Sequence, residues 1–204
     1  MTAVEIAPRT PRIADLEAAP VLELLALVPT EPEPLAALQI RPADTEGRVL
    51  LELASTALMA RLEVDGDCSR LIALPRGPLA VLRRRHGDAE RLVIDELEAG
   101  TGLRTFAADS TVAITCSQAA PLPQLPMAEP SEGQPAGGDA LPVWLDPALL
   151  NKALGVLVRL GTAPVELALL NHPVVGAALR IRPRQDSGLS GAIQIARCVP
   201  PEAR

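Results

Sequence analysis

The stretch Arg70-Leu71-Ile72-Ala73-Leu74 is a short apolar segment that runs into a proline-marked helix predicted at residues 77–86. Alternating apolar and polar side chains then predict three strands, at residues 91–98, 102–107 and 110–116. A strand, a helix and three strands in this order form one recognisable structural unit. This stretch, the central unit, therefore decides how the rest of the chain is interpreted.

The same order of elements returns near the end of the chain, in a C-terminal unit. The apolar run Leu141-Pro142-Val143-Trp144-Leu145 precedes a helix predicted at residues 146–160. Strands are predicted at residues 164–170, 176–182 and 191–197. This second copy indicates a repeated fold and carries more information than any single motif in the chain.

The helix of the C-terminal unit has the clearest boundary signals. Asp146 suits the N-cap, Pro147 suits the first helical position, and Gly161 is a typical residue just past the end. On the polar side of this helix, Lys152 and Arg159 are spaced so that they share one face.

A weaker third copy precedes the central unit, and we call it the N-terminal unit. A helix is predicted over residues 15–27, and strands are predicted at residues 35–41, 48–54 and 56–64. Residues 65–67, Asp-Gly-Asp, predict a turn after the last strand.

These copies predict the domain organisation. Residues 119–140 are rich in proline and then in glycine, which is typical of a linker. The predicted parts are a proline-punctuated N-terminal segment with a helix (1–34), one domain (35–118), the linker (119–140), a half-domain (141–198) and a tail (199–204).

Composition limits the class of protein. The 204 residues are 48% hydrophobic and 22% charged, which is typical of a globular chain. No apolar run approaches the ~20 residues that span a bilayer, and no signal peptide is recognisable, so we expect no membrane contact and a cytoplasmic location. The formal net charge of −6 means that any nucleic-acid contact must be a local basic patch on an acidic body.

The motifs of enzymes and cofactor sites are missing from the sequence. We find no nucleophile elbow, no phosphate-binding loop, no dinucleotide fingerprint and no Cys/His cluster with zinc spacing. We therefore predict a protein that is not an enzyme and that carries no cofactor and no metal.

Arg83, Arg84 and Arg85, with Arg76 nearby, form the densest positive cluster. Two interpretations stay open. Cations at the end of a helix complement its dipole, which is a structural role. They can also contact phosphates, which need positive charge but no base-reading code.

The chain from residue 35 to about 126 resembles the bacterial DNA polymerase III beta subunit, the sliding clamp. The run 55–61 stands where clamps begin a Thr-Asp-rich strand. Ile72-Ala73-Leu74-Pro75 stands where clamps have an apolar strand, a proline and a short helix, and the exit at 120–126 contains several prolines. Residues 141–198 are similar to another clamp half-domain, closest to the final one.

The resemblance implies an α+β, DNA-clamp-like fold of repeated β-α-β-β-β units, with antiparallel sheets and one helix per unit. In clamps the helices line a positive hole around duplex DNA. If the helices of this chain are placed as in clamps, the resemblance implies that the DNA-facing residues are Arg76, Arg83, Arg84, Arg85, Lys152 and Arg159.

The departures from the clamp pattern concern size and the C-terminus. A clamp subunit has six units and this chain at most three, so a ring would require self-association or another chain. The final residues 197–201 also lack the Met-Pro-Met-like ending that forms part of the partner pocket of clamps.

We therefore expect a non-catalytic scaffold associated with DNA replication or repair, whose basic helices contact duplex phosphates. Its expected partners are double-stranded DNA, and either further copies of itself or another replication or repair protein. The alternative is a protein–protein interaction module of the same fold that does not bind DNA.

Overall fold

The computed structural model describes residues 11–29, 37–77, 79–96, 103–107, 110–114, 144–162, 164–172, 176–183 and 188–196. Within these ranges, three helices lie among eleven strands, and every strand pairing is antiparallel. The predicted α+β fold of repeated units is confirmed.

The N-terminal unit contains the predicted helix and three strands, and also a leading strand that the sequence did not predict. Its elements are β1 (Arg12–Glu17), α1 (Ala18–Leu25), β2 (Leu38–Pro42), β3 (Arg48–Ala54) and β4 (Leu58–Cys68).

The central unit repeats this order. Its elements are β5 (Ile72–Leu74), α2 (Leu79–His86), β6 (Arg91–Glu96), β7 (Leu103–Ala107) and β8 (Ser110–Ile114).

The C-terminal unit has the helix and the three strands that follow it: α3 (Pro147–Arg159), β9 (Glu166–His172), β10 (Gly176–Arg182) and β11 (Ser190–Ala196). The predicted leading strand is wrong at Trp144 and Leu145, which lie outside any strand, and the rest of that run falls outside the described residues. The predicted linker and tail also fall outside them, and the proposed domain boundaries stay a prediction.

β4 joins two sheets. One of its edges pairs with β3, and its other edge pairs first with β11 and then, near its end, with β1. One sheet therefore runs in the order β5-β2-β3-β4-β11-β10-β9, and the other continues from β4 through β1-β6-β7-β8. In the strand predicted at residues 56–64, Leu58, Ala60, Leu62 and Val64 alternate with mainly polar residues, which predicts that these four side chains face the core. All four are buried in β4, so this prediction is confirmed.

The N-terminal and central units exchange their leading strands. β1 comes from the N-terminal unit but pairs with β6 of the central unit, where Leu16 lies opposite Leu92. β5 comes from the central unit but pairs with β2 of the N-terminal unit, where Leu74 lies opposite Leu38. Each unit therefore completes the sheet of the other.

Two predictions in the N-terminal unit are wrong, and β1 is the reason for both. Residues 15–17 were predicted as helix but belong to β1, because pairing on both edges of this strand outweighs the helix propensity of Leu16 and Glu17. Residues 65–67 were predicted as a turn but continue β4, since Asp67 and Gly66 pair with Asp15 and Leu16.

Two glycines allow neighbouring strands to approach β4 closely. A Cβ on Gly66 would lie 2.6 Å from the carbonyl oxygen of Asp15 and 2.7 Å from the Cβ of Leu16. A Cβ on Gly191, in β11, would lie 2.0 Å from the carbonyl oxygen of Arg61, and the φ of Gly191 is +115°. Both junctions of β4 therefore require a residue without a side chain.

We expect Gly66→Ala to lower the free energy of unfolding by about 1–3 kcal/mol, because the added methyl group has no space beside β1. Gly77→Ala is the matched control, since no atom lies within 4 Å of the position its Cβ would take. Urea denaturation measures both variants. Equal midpoints for the two would contradict the close approach at Gly66.

Candidate nucleic-acid interface

The three helices lie next to one another, with α1 in contact with both α2 and α3. α1 is almost wholly buried, and only Ala19 and Glu23 in it escape full burial. These two residues are four positions apart and so share the one face that α1 leaves uncovered. The carboxylate of Glu23 thus lies between two helices that carry basic residues.

Glu23 binds one arginine from each neighbouring helix. Nη2 of Arg83, in α2, lies 3.2 Å from Oε1 of Glu23, and Nε of Arg159, in α3, lies 2.7 Å from Oε2. The side chain of Glu23 is only 15% exposed, whereas those of the arginines are 43% and 53% exposed. One carboxylate therefore links α1, α2 and α3 and fixes two of the predicted DNA-facing residues.

Glu23 is not among the site residues predicted from the sequence, although the sequence contains a signal for it. Glu23 is the one charged residue in the otherwise apolar run 18–28, and it is the one acidic residue within the three helices. A charge retained in a buried helix requires a partner. The pairing with two distant arginines is visible only in three dimensions.

Gly155 makes room for Arg159. A Cβ on Gly155 would lie 3.1 Å from Nη1 of Arg159, so the guanidinium lies over the glycine, one turn back along α3. The absence of a side chain at this position lets Arg159 pack close to its helix while its Nε reaches Glu23.

Arg84 and Lys152 are the cations of this surface that remain available. Both are exposed, on α2 and α3 respectively. Neither forms an ion pair with any residue in the described part of the chain. We use the name "helix surface" for Glu23, Arg83, Arg84, Lys152 and Arg159, which together carry four cations and one carboxylate.

Arg76 occupies a different position. Its Nη1 donates a hydrogen bond of 2.6 Å to the carbonyl oxygen of Val28, just past the end of α1. Val28 lies three residues beyond Leu25, where α1 ends, so this hydrogen bond ties Arg76 to the segment that follows the helix. Arg85 lies in α2, but its side chain is outside the described part of the structure.

The outer side of the sheet also carries paired charges. Arg41 donates to Glu52 at 2.7 Å, and this hydrogen bond raises the pKa of Arg41. Arg61 lies 3.4 Å from the same carboxylate. Because Arg61 alternates with the buried Ala60 and Leu62 along β4, it points away from the helices.

Among the described residues, no group of three or more His, Cys, Asp or Glu side chains could hold a metal ion. None of the helices described has the length and apolarity needed to cross a membrane.

No protein-family model and no curated protein matches this sequence. Solved structures do match. A protein from Eubacterium rectale described as a DNA polymerase III beta subunit superposes with a TM-score of 0.61 and 11% identity, over 93% of this chain and 66% of the other. The DNA polymerase sliding clamp of Bacillus subtilis superposes with a TM-score of 0.55 and 10% identity, over 97% and 67%.

These likenesses extend over nearly all of this chain, which spans about two thirds of the length of each clamp chain. The predicted resemblance is confirmed at the level of the fold. The chain therefore has the fold of bacterial DNA polymerase sliding clamps.

Proposed function

We propose that this protein is a non-catalytic, clamp-like scaffold that contacts the phosphates of duplex DNA through its helices. The observation that carries the proposal is the position of Arg83, Arg84, Lys152 and Arg159, on two helices that flank α1 in a clamp fold. Solved proteins with this fold are described as DNA polymerase subunits and clamps.

The chemistry of the helix surface suits a backbone contact. Lysine and arginine bind phosphates without reading bases, and such contacts make affinity strongly dependent on salt. The chain has a formal net charge of −6, so repulsion from the rest of the molecule would confine DNA to this surface. Binding of this kind positions a protein on a duplex and requires no catalytic group.

The second candidate is a protein–protein interaction module of the same fold that does not bind DNA. Glu23 favours this alternative, because it already neutralises part of the charge of Arg83 and Arg159. If the protein does not bind duplex DNA at low salt, that result would support the protein–protein interaction module.

We expect Arg84→Gln to weaken duplex binding and to reduce the slope of log affinity against log salt by about 1, because one phosphate contact is lost. Lys152→Gln should act in the same way. Arg61→Gln is the matched control, since it removes the same charge from the opposite side of the sheet. Fluorescence anisotropy with a labelled duplex measures all three variants over a salt series.

Equal slopes for Arg84→Gln, Arg61→Gln and the unchanged protein would contradict the assignment of the helix surface to DNA. Arg84 is exposed and Arg61 is a partly exposed member of an ion pair with Glu52, so the free energy of unfolding should change by less than about 1 kcal/mol in each variant. A circular dichroism melt checks that the compared proteins are folded.

We expect Glu23→Gln to strengthen duplex binding by roughly tenfold at low salt, because it removes a negative charge and releases Arg83 and Arg159. Because the side chain of Glu23 is mostly buried, the loss of its two ion pairs should lower the free energy of unfolding by about 1–2 kcal/mol. Glu63→Gln, on the outer side of β4, is the control.

The same titration distinguishes the two proposed functions. Stronger binding by Glu23→Gln than by Glu63→Gln supports contact between DNA and the helices. If neither the unchanged protein nor any variant binds duplex DNA at low salt, the protein–protein interaction module is the better supported function.

A further inference from the structure

The described large apolar side chains that remain strongly exposed are confined to the C-terminal unit. They are Trp144 (57% exposed), Val158 (60%), Leu167 (54%) and Leu169 (62%). Leu167 and Leu169 lie opposite Ile181 and Leu179 of β10, which are buried, so they are on the core side of the sheet. The core of this unit is therefore open at β9.

The central unit shows what normally covers these positions. β6 follows α2 as β9 follows α3, and its residues Leu92 and Ile94 are 1% and 0% exposed. They lie opposite Leu16 and Ala14 of β1, the leading strand of the N-terminal unit. The helix and the leading strand of a second unit therefore cover the core of the first.

This exchange is reciprocal in the first two units. β1 pairs with β6, and β5 pairs with β2, so the two units are related by an approximate two-fold arrangement. The C-terminal unit is not part of such an exchange within the described residues. β9 pairs only with β10 there, and Trp144 and Leu145, ahead of α3, belong to no strand.

The edge of β9 also lacks the features that usually protect an exposed strand. Such edges are kept short or carry lysine, proline or bulges. The opposite edge of the same sheet, β5, is three residues long and is followed by Pro75. β9 is seven residues long, with no lysine, arginine or proline, and its first residue, Glu166, is its one acidic residue. This edge is suited to pairing.

We propose that two copies of this chain associate through their C-terminal units, about a two-fold axis. Each copy would place Trp144 and Leu145, ahead of α3, against β9 of the other and would cover Leu167, Leu169 and Val158. In the reciprocal exchange of the first two units, each unit both gives a leading strand and receives one. A partner that completes the C-terminal unit in the same way must therefore itself have a free strand edge like β9, an uncovered apolar core and an unpaired leading segment. Among the described units, only the C-terminal unit has all three, so it is its own complement.

The proposal does not depend on DNA binding, and its test uses the full chain without DNA. Sedimentation velocity over a concentration series should show a dimer that dissociates on dilution. Trp144 is the one tryptophan of the chain, and its emission should shift to shorter wavelength as the dimer forms and buries it.

Leu169→Asp should raise the dimer dissociation constant at least about 100-fold, because a charge would be buried at the centre of the contact. Ala80→Asp, which adds the same charge at an exposed position on α2, is the control and should leave the constant unchanged. Val158→Asp tests the surface from α3, so the result does not rest on a strand that the substitution might unfold.

A monomer at every concentration would overturn the proposal and would leave this surface to a different protein. A dimer that both Leu169→Asp and Val158→Asp leave intact would also overturn it, because the contact would then lie elsewhere. Weaker dimers in these two variants, with unchanged circular dichroism and an unchanged Ala80→Asp control, would support it.

Discussion

The fold depends on β4, because this one strand pairs with members of both sheets. Leu58–Cys68 pairs with β3 along one edge and divides its other edge between β11 and β1. That division is possible because Gly66 and Gly191 remove the side chains that would meet neighbouring backbone at less than 3 Å. β4 therefore fixes where the C-terminal unit sits, and α3 comes to lie against α1 as a consequence.

The contact between helices brings the charges together. Arg83 and Arg159 are 76 residues apart in the chain, yet both reach the carboxylate of Glu23. Glu23 orders the two arginines and also lowers the positive potential that they present. Under the proposed function, a phosphate would compete with Glu23 for these guanidinium groups, while Arg84 and Lys152 would be free to bind it. Affinity for DNA would then be moderate and sensitive to salt.

The exchange of leading strands explains why the apolar core is covered in the first two units and open in the C-terminal unit. The N-terminal and central units close each other's core, so Leu92 and Ile94 are buried. The C-terminal unit has the same kind of strand in β9, but no described strand covers it, and Leu167 and Leu169 stay exposed. A two-fold dimer through this unit would repeat, between chains, the arrangement that the first two units form within one chain.

The sequence by itself determined the repeated unit, the inward face of β4 and the boundaries of α3, whereas the clamp-like fold was implied by the resemblance to sliding clamps. These features depend on local periodicity and on caps such as Asp146, whose side chain accepts hydrogen bonds from the amides of Ala148 and Leu149. The resemblance to clamps implied that Arg76, Arg83, Arg84, Arg85, Lys152 and Arg159 face DNA, and this assignment stays a prediction. Only the tertiary structure decided that residues 15–17 form a strand, that Arg76 binds the carbonyl oxygen of Val28, and that Glu23 joins three helices. Each of these depends on a partner far away in the chain, and no local pattern specifies such a partner.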